Sequence, residues 1–207
     1  MFKRIPANNI SISGRRTILG VGINDADYLV KPTVNGKKLC CPIYRAWIGM
    51  ITRCYSEKTH KVQPLYKDCT VHIDWLLFST FKKWAETKDY EGNELDKDIV
   101  KTGNKVYSAD TCLFVSKNIN TFVCPNKSRD NGFPCGVDIH KATGKYRAQS
   151  YFSGKNHYIG IYATAHEARE AYVRFKCKKL ELLASQQTSS FLSSCLLRIS
   201  GELIDTL

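Results

Sequence analysis

The chain has no apolar run approaching the ~20 residues that cross a bilayer. Its first residues, Met1-Phe2-Lys3-Arg4-Ile5-Pro6, lead into polar Asn and Ser instead of the apolar stretch of an export signal. A cytoplasmic location is therefore expected, with no membrane partner. The CxxC pair is also missing. Nine cysteines run from Cys40 to Cys195 without a CxxC, which favours reduced thiols over a disulfide framework. Cys112, Cys124 and Cys135 are each more than ten residues apart, whereas zinc ribbons bring their ligands in close pairs, so zinc is not expected. Acid is scarce. Nineteen Asp and Glu stand against 31 Lys and Arg, giving a net charge of +12 and a pI near 9.3. This balance points to an acidic partner, nucleic acid ahead of an anionic membrane, and no small-molecule cofactor is evident.

With 207 residues there is room for one ordinary domain or two small ones, which excludes a large multidomain enzyme. At 43% hydrophobic and 11% aromatic residues the composition supports a packed core and excludes a disordered chain. The first forty residues mix short apolar runs with Gly and Asn, the signature of loops and brief strands. Tyr44, Trp47, Ile48, Ile51 and Tyr55 then recur at helical intervals, as do Trp75, Phe78, Phe81 and Trp84. Both stripes read as core, packed against each other. Gly92 breaks the second helix, residues 95–100 alternate like a strand, and residues 112–115 form another. Residues 124–134 gather Pro, Gly, Ser and Asn, which places a linker at 125–134 between a region 1–124 and a module 135–183. The tail, 184–207, carries a weak helical pattern at Phe191, Leu192, Cys195, Leu196 and Ile199 that leaves docking or a partner open.

The sharpest pattern follows the linker. Strands at 136–140, 145–152 and 156–162 are joined by Thr143-Gly144 and Ser153-Gly154-Lys155, both turn-forming, and make a meander. Thr164 and Glu167 have capping-box spacing, and Ala168, Ala171, Tyr172, Phe175 and Leu182 continue a helix to about residue 183. Alternation along the strands sorts Val137, Ile139, Tyr146, Ala148, Phe152, Ile159 and Ile161 inward, onto that helix. It sorts Asp138, His140, Lys145, Arg147, Gln149, Tyr151, Asn156 and Tyr158 outward. The outward set is long-armed, basic and aromatic, suited to phosphates and base edges. Residues 135–183 carry nine Lys or Arg and four acids, a net of +5 that suits counterion release.

This segment resembles the AP2 DNA-binding domain. The resemblance rests on Gly136-Val137, Gly144-Lys145-Tyr146, Tyr158-Ile159-Gly160 and Thr164-Ala165-His166-Glu167-Ala168-Arg169-Glu170-Ala171-Tyr172. It implies a three-stranded sheet lying in the major groove of double-stranded DNA, read by His140, Lys145, Arg147, Gln149, Tyr151, Asn156 and Tyr158. Asp138 lies among these positions, where a carboxylate would repel phosphate.

Residues 40–122 resemble phage-type HNH proteins that carry a C-terminal AP2 module, many of them treated as homing endonucleases. The matching pieces are Trp47…Arg53-Cys54-Tyr55, Asp74-Trp75…Phe78…Phe81…Trp84, Leu95-Asp96-Lys97-Asp98-Ile99, Gly103-Asn104-Lys105 and Tyr107-Ser108…Cys112…Phe114-Val115. The implied fold class is α+β, an HNH-like (ββα-metal-type) region followed by a three-stranded antiparallel sheet on one helix. The implied activity is phosphodiester cleavage in duplex DNA with Mg²⁺ or Mn²⁺, in a host-cell cytoplasm if the chain is phage-encoded. Asp96 and Asn104 are the candidate metal ligands, and Asp96 with Asp98 the candidate catalytic groups. Lys97 stands where the base histidine belongs and Tyr107 near the second ligand position, and a lysine of ordinary pKa is a poor base. His60 and His72 lack the spacing to replace it. The alternative is a catalytically inactive DNA-binding protein that keeps an HNH-like scaffold. RNA binding is disfavoured, because the meander lacks stacking aromatics in the arrangement of an RNA-recognition sheet.

Overall fold

The structure is a computed structural model that describes residues 2–124 and 132–207. The chain is mixed α and β and divides into two compact units, Met1–Ser116 and Lys117–Leu207. In the first unit α1 (Asn9–Ser13) is followed by a hairpin of β1 (Thr33–Val34) and β2 (Lys37–Lys38). Next come α2 (Pro42–Tyr55), α3 (Glu57–Val62), β3 (Thr70–Val71) and α4 (Phe78–Ala85), then β4 (Glu94–Asp96), β5 (Val106–Tyr107) and β6 (Leu113–Val115). Strands β3 and β5 pair in parallel, and β4 and β6 antiparallel.

The two aromatic stripes meet as core. Tyr44 and Trp47 of α2 lie 5.1 Å and 5.4 Å, centroid to centroid, from Phe78 of α4. Trp75 also lies in this core, yet it is outside the helix that the spacing predicts. It sits in a 3-10 turn, Ile73–Leu76, and Leu77 is extended. The reason is a bridge to Ile23, which donates to the Leu76 carbonyl and accepts from the Phe78 N–H. The Trp47 indole donates to the Trp75 carbonyl at 2.6 Å, so its buried N–H is satisfied.

The strand expected at 95–100 ends at Asp96. Its carboxylate accepts from the N–H groups of Asp98 and Ile99, at 2.8 Å and 2.7 Å, and turns the chain out of the sheet.

In the second unit α5 (Lys117–Val123) precedes the meander of β7 (Val137–Ile139), β8 (Tyr146–Phe152) and β9 (Lys155–Tyr162), then α6 (Ala165–Ser185) and α7 (Ser190–Ile204). Composition alone places residues 117–124 with the first region. In the structure α5 belongs to the second unit, where Phe122 packs edge-on to Phe152 at 4.7 Å. The linker expected at 125–134 lies mostly outside the described residues. Helix α6 starts on the expected capping box, with the Thr164 hydroxyl accepting from the Glu167 N–H and the Glu167 carboxylate accepting in return from Thr164. The tail pattern forms α7, which docks on α6 through buried Cys195, Leu196 and Ile199.

The β8–β9 turn, Ser153-Gly154, has positive φ at both residues, as a two-residue type I′ hairpin requires. Across β8 the register breaks between Ala148 and Gln149, so that Gly160 faces Ala148, Tyr158 faces Gln149 and Ile159 is the extra residue. Directly paired residues share a face, so strict alternation fails here. Ile161 pairs with outward Arg147, not with the core as alternation implies. Tyr162 joins the core in its place, its ring crossing so close to Gly160 that a Cβ there would meet the Tyr162 hydroxyl at 2.7 Å. Ile139, also expected inward, is 44% exposed.

Candidate nucleic-acid interface

The β7–β8–β9 sheet buries one face and leaves the other open. Val137 and Ala148 are buried on the α6 side, against Ala168, Tyr172 and Val173, and Ser150 is buried as well. On the opposite side a row of polar and aromatic side chains is organised by one carboxylate. Asp138 and Arg147 are directly paired across β7 and β8. Arg147 donates from Nε and Nη2 to the two Asp138 oxygens, each at 2.8 Å. Gln149 Nε2 donates to Asp138 Oδ2 at 2.7 Å, and Asn156 Nδ2 donates to Gln149 Oε1 at 3.2 Å. Beyond this row Tyr151 is 52% and Tyr158 65% exposed.

Positive charge flanks the row at the β7–β8 end, where Lys141 and Lys145 are exposed. Lys155, exposed beside the β8–β9 turn, pairs with inward Phe152 and so belongs to the α6 side of the sheet. His140 bonds through Nδ1 to the Thr143 hydroxyl at 2.9 Å and so braces the turn from which Lys141 and Lys145 project. The structure thus brings Arg147, Gln149 and Asn156 into one hydrogen-bonded row. It places His140 and Lys145 at one end. Sequence reasoning misses Lys141 as a flanking cation, and it reads Asp138 as a misfit where it is the hub. The turn chemistry that sets the β7–β8 register carries the signal for the Asp138–Arg147 pair.

The other set of predicted residues is differently employed. Asp96 is 7% exposed, and its Oδ1 takes the two backbone N–H groups that end β4. Burial raises its carboxyl above the ordinary range, against the pull of those two N–H donors. Lys97, 6% exposed, donates to Asp98 Oδ1 at 2.7 Å and to the Asn104 carbonyl at 2.5 Å. Asn104 spends its amide on the chain, donating to the Lys97 and Val106 carbonyls and accepting from the Val106 N–H. These groups tie a loop shut. Tyr107 is buried, with its hydroxyl accepting from Arg53 Nε at 2.9 Å, and burial drives its pKa upward. His60 is bonded to the Arg53 carbonyl, and His72 caps the 3-10 turn that holds Trp75.

A divalent cation fits this arrangement poorly. It needs several free oxygens converging on one point, whereas Asp96 Oδ1, Asp98 Oδ1 and the Asn104 side chain are already engaged, and an ammonium stands among them. Among the described residues no group of three or more His, Cys, Asp or Glu is arranged to hold a metal. Burial pushes the Cys54 and Cys112 thiols up to about 12, so both are protonated at neutral pH.

The bracing role has a measurable consequence. Asp96→Ala should lower stability by about 2–3 kcal/mol, because it strands two N–H groups in a buried turn. Asp96→Asn keeps an acceptor oxygen and should lose less. An acid whose folded pKa is raised contributes most below its unfolded value of 3.8, and that contribution is lost as pH rises through the folded pKa. The difference in stability between Asp96→Asn and the unaltered chain should therefore move in favour of Asn as pH rises from 3.8, as read from urea unfolding at a series of pH values.

No known protein family, curated protein or solved structure matches the chain.

Proposed function

We propose that this protein binds duplex DNA by laying the open face of the β7–β8–β9 sheet in the major groove, with α6 behind it. The observation that carries the reading is the Arg147–Gln149–Asn156 row, flanked by Lys141 and Lys145 at the β7–β8 end of the sheet. Guanidinium and amide groups are the side chains that read base edges, and the flanking ammonium groups suit neighbouring phosphates. An ordinary solvated sheet face has no need to order these side chains against one another. The resemblance to AP2 domains, on the residues quoted above, points to the same face.

In this reading the first unit supports binding and does not cleave through Asp96. The groups that an HNH-like metal centre would need are held in the loop between β4 and β5. The test uses the intact chain with random-sequence duplex at low ionic strength, followed by incubation of supercoiled DNA with Mg²⁺ and with Mn²⁺. Binding without nicking is the expected result. Absence of binding overturns the reading, and nicking abolished by Asp96→Asn would restore the endonuclease in its place.

A further inference from the structure

A carboxylate in the middle of a surface meant for polyanions has to be accounted for, and the geometry around Asp138 does so. An ionised carboxylate only accepts hydrogen bonds. Whatever touches Asp138 must therefore turn a donor toward it, and the choice propagates along the row. Arg147 gives it the Nε and Nη2 edge. Gln149 must then aim its NH₂ at Asp138 and its carbonyl away, and that carbonyl accepts from the Asn156 NH₂. With an asparagine at 138 both amides would be free to flip.

A guanidinium has two edges that can bond in parallel pairs. Asp138 takes the side-on edge, which leaves the end-on pair, Nη1–H with the second Nη2–H, directed along the axis of the side chain. Arg147 is about one-third exposed and Asp138 much less, so the anchoring carboxylate is the more deeply set of the two. Two parallel donors match the O6 and N7 acceptors of guanine and no other base edge in the major groove. They also lose far less side-chain freedom on binding than an untethered arginine.

We propose that Asp138 is the specificity-determining residue of this face: it fixes Arg147 to read guanine and sets the polarity of the Gln149–Asn156 amides, at the cost of general affinity for DNA. This rests on the duplex-binding reading. It also implies a behaviour that a simple basic patch does not have, because removing an acid from the surface increases attraction to any phosphate while discrimination falls.

The test is selection of duplexes from a random pool by the intact chain, by Asp138→Asn and by Arg147→Lys, the last retaining charge but not the fork. Thermal unfolding checks each variant for folding. The unaltered chain should enrich an invariant guanine. Replacing that guanine by 7-deazaguanine, which lacks the N7 acceptor, should weaken binding roughly five- to hundredfold. Asp138→Asn should bind unselected duplex several-fold more tightly and prefer the selected site by less than about threefold. Arg147→Lys should lose the same guanine. Retention of the guanine preference in a folded Asp138→Asn chain overturns the assignment, as does a selected site without guanine. Failure to retain any duplex from the pool defeats the binding reading itself, and so separates the two.

Discussion

Gly136→Ala is expected to destabilise the second unit by about 3 kcal/mol or more, from left-handed backbone and overpacking together. Gly136 has φ +86°, and a Cβ there would lie 2.1–2.4 Å from atoms of the Tyr172 ring. Tyr172 is buried against the sheet, so its ring cannot swing aside without opening the contact between β7 and α6. Gly144 supplies the control. It too has positive φ, +67°, but a Cβ there meets nothing within 4 Å, so Gly144→Ala should cost only the backbone term, about 1 kcal/mol. Urea unfolding of the two variants separates steric from conformational cost. Equal effects would mean that the strand start does not sit against the helix as described.

The double variant Arg147→Ala with Gln149→Ala is expected to weaken duplex binding by about 2–3 kcal/mol, roughly 30- to 150-fold, well above the ~1 kcal/mol of incidental surface changes. Two effects combine. The base-edge donors disappear, and Asp138 is released from its fork, so that an uncompensated carboxylate faces the phosphates. Adding Asp138→Ala to the double variant should therefore recover part of the affinity. Fluorescence anisotropy with a fixed duplex measures all three. A double variant that binds as tightly as the unaltered chain would remove the open face from the interface.

How much of this can be read from the residues alone differs sharply between the two units. The meander, its helix and the capping box are legible, because turn chemistry, period-two alternation and Thr164-x-x-Glu167 are local signals. Alternation fails at Ile161, since a bulge at Ile159 resets the parity of the rest of β9, and only the size of Gly160 against Tyr162 hints at it. The helix stripe beginning at Trp75 is right about burial and right about helicity from Phe78 on, but wrong for Trp75 itself. A bridge from Ile23, some fifty residues earlier, holds Leu77 extended, and nothing near Leu77 in the sequence announces that. The candidate metal site shows the same limit. Asp96, Asp98 and Asn104 have the right chemistry for a cation, but hydrogen bonds to nearby backbone and to Lys97 claim them first. Alternation shows Asp138 as an outward charge, and only its pairing with Arg147 turns it from a liability into an orienting group.

The most direct measurement is the salt dependence of duplex binding for the intact chain, the double variant Lys141→Ala, Lys145→Ala, and Lys178→Ala on α6 as a control. Each phosphate deprived of its lysine should flatten the slope of log K against log salt by about 0.9, so the slope of the double variant should be shallower by about two. Lys178 is exposed on the helix that covers the other face of the sheet, and its removal should leave the slope within about 0.3 of the unaltered chain's, well under the step for one phosphate. A slope that falls for Lys178→Ala and holds for the double variant would place DNA on the wrong side of the sheet and contradict the account.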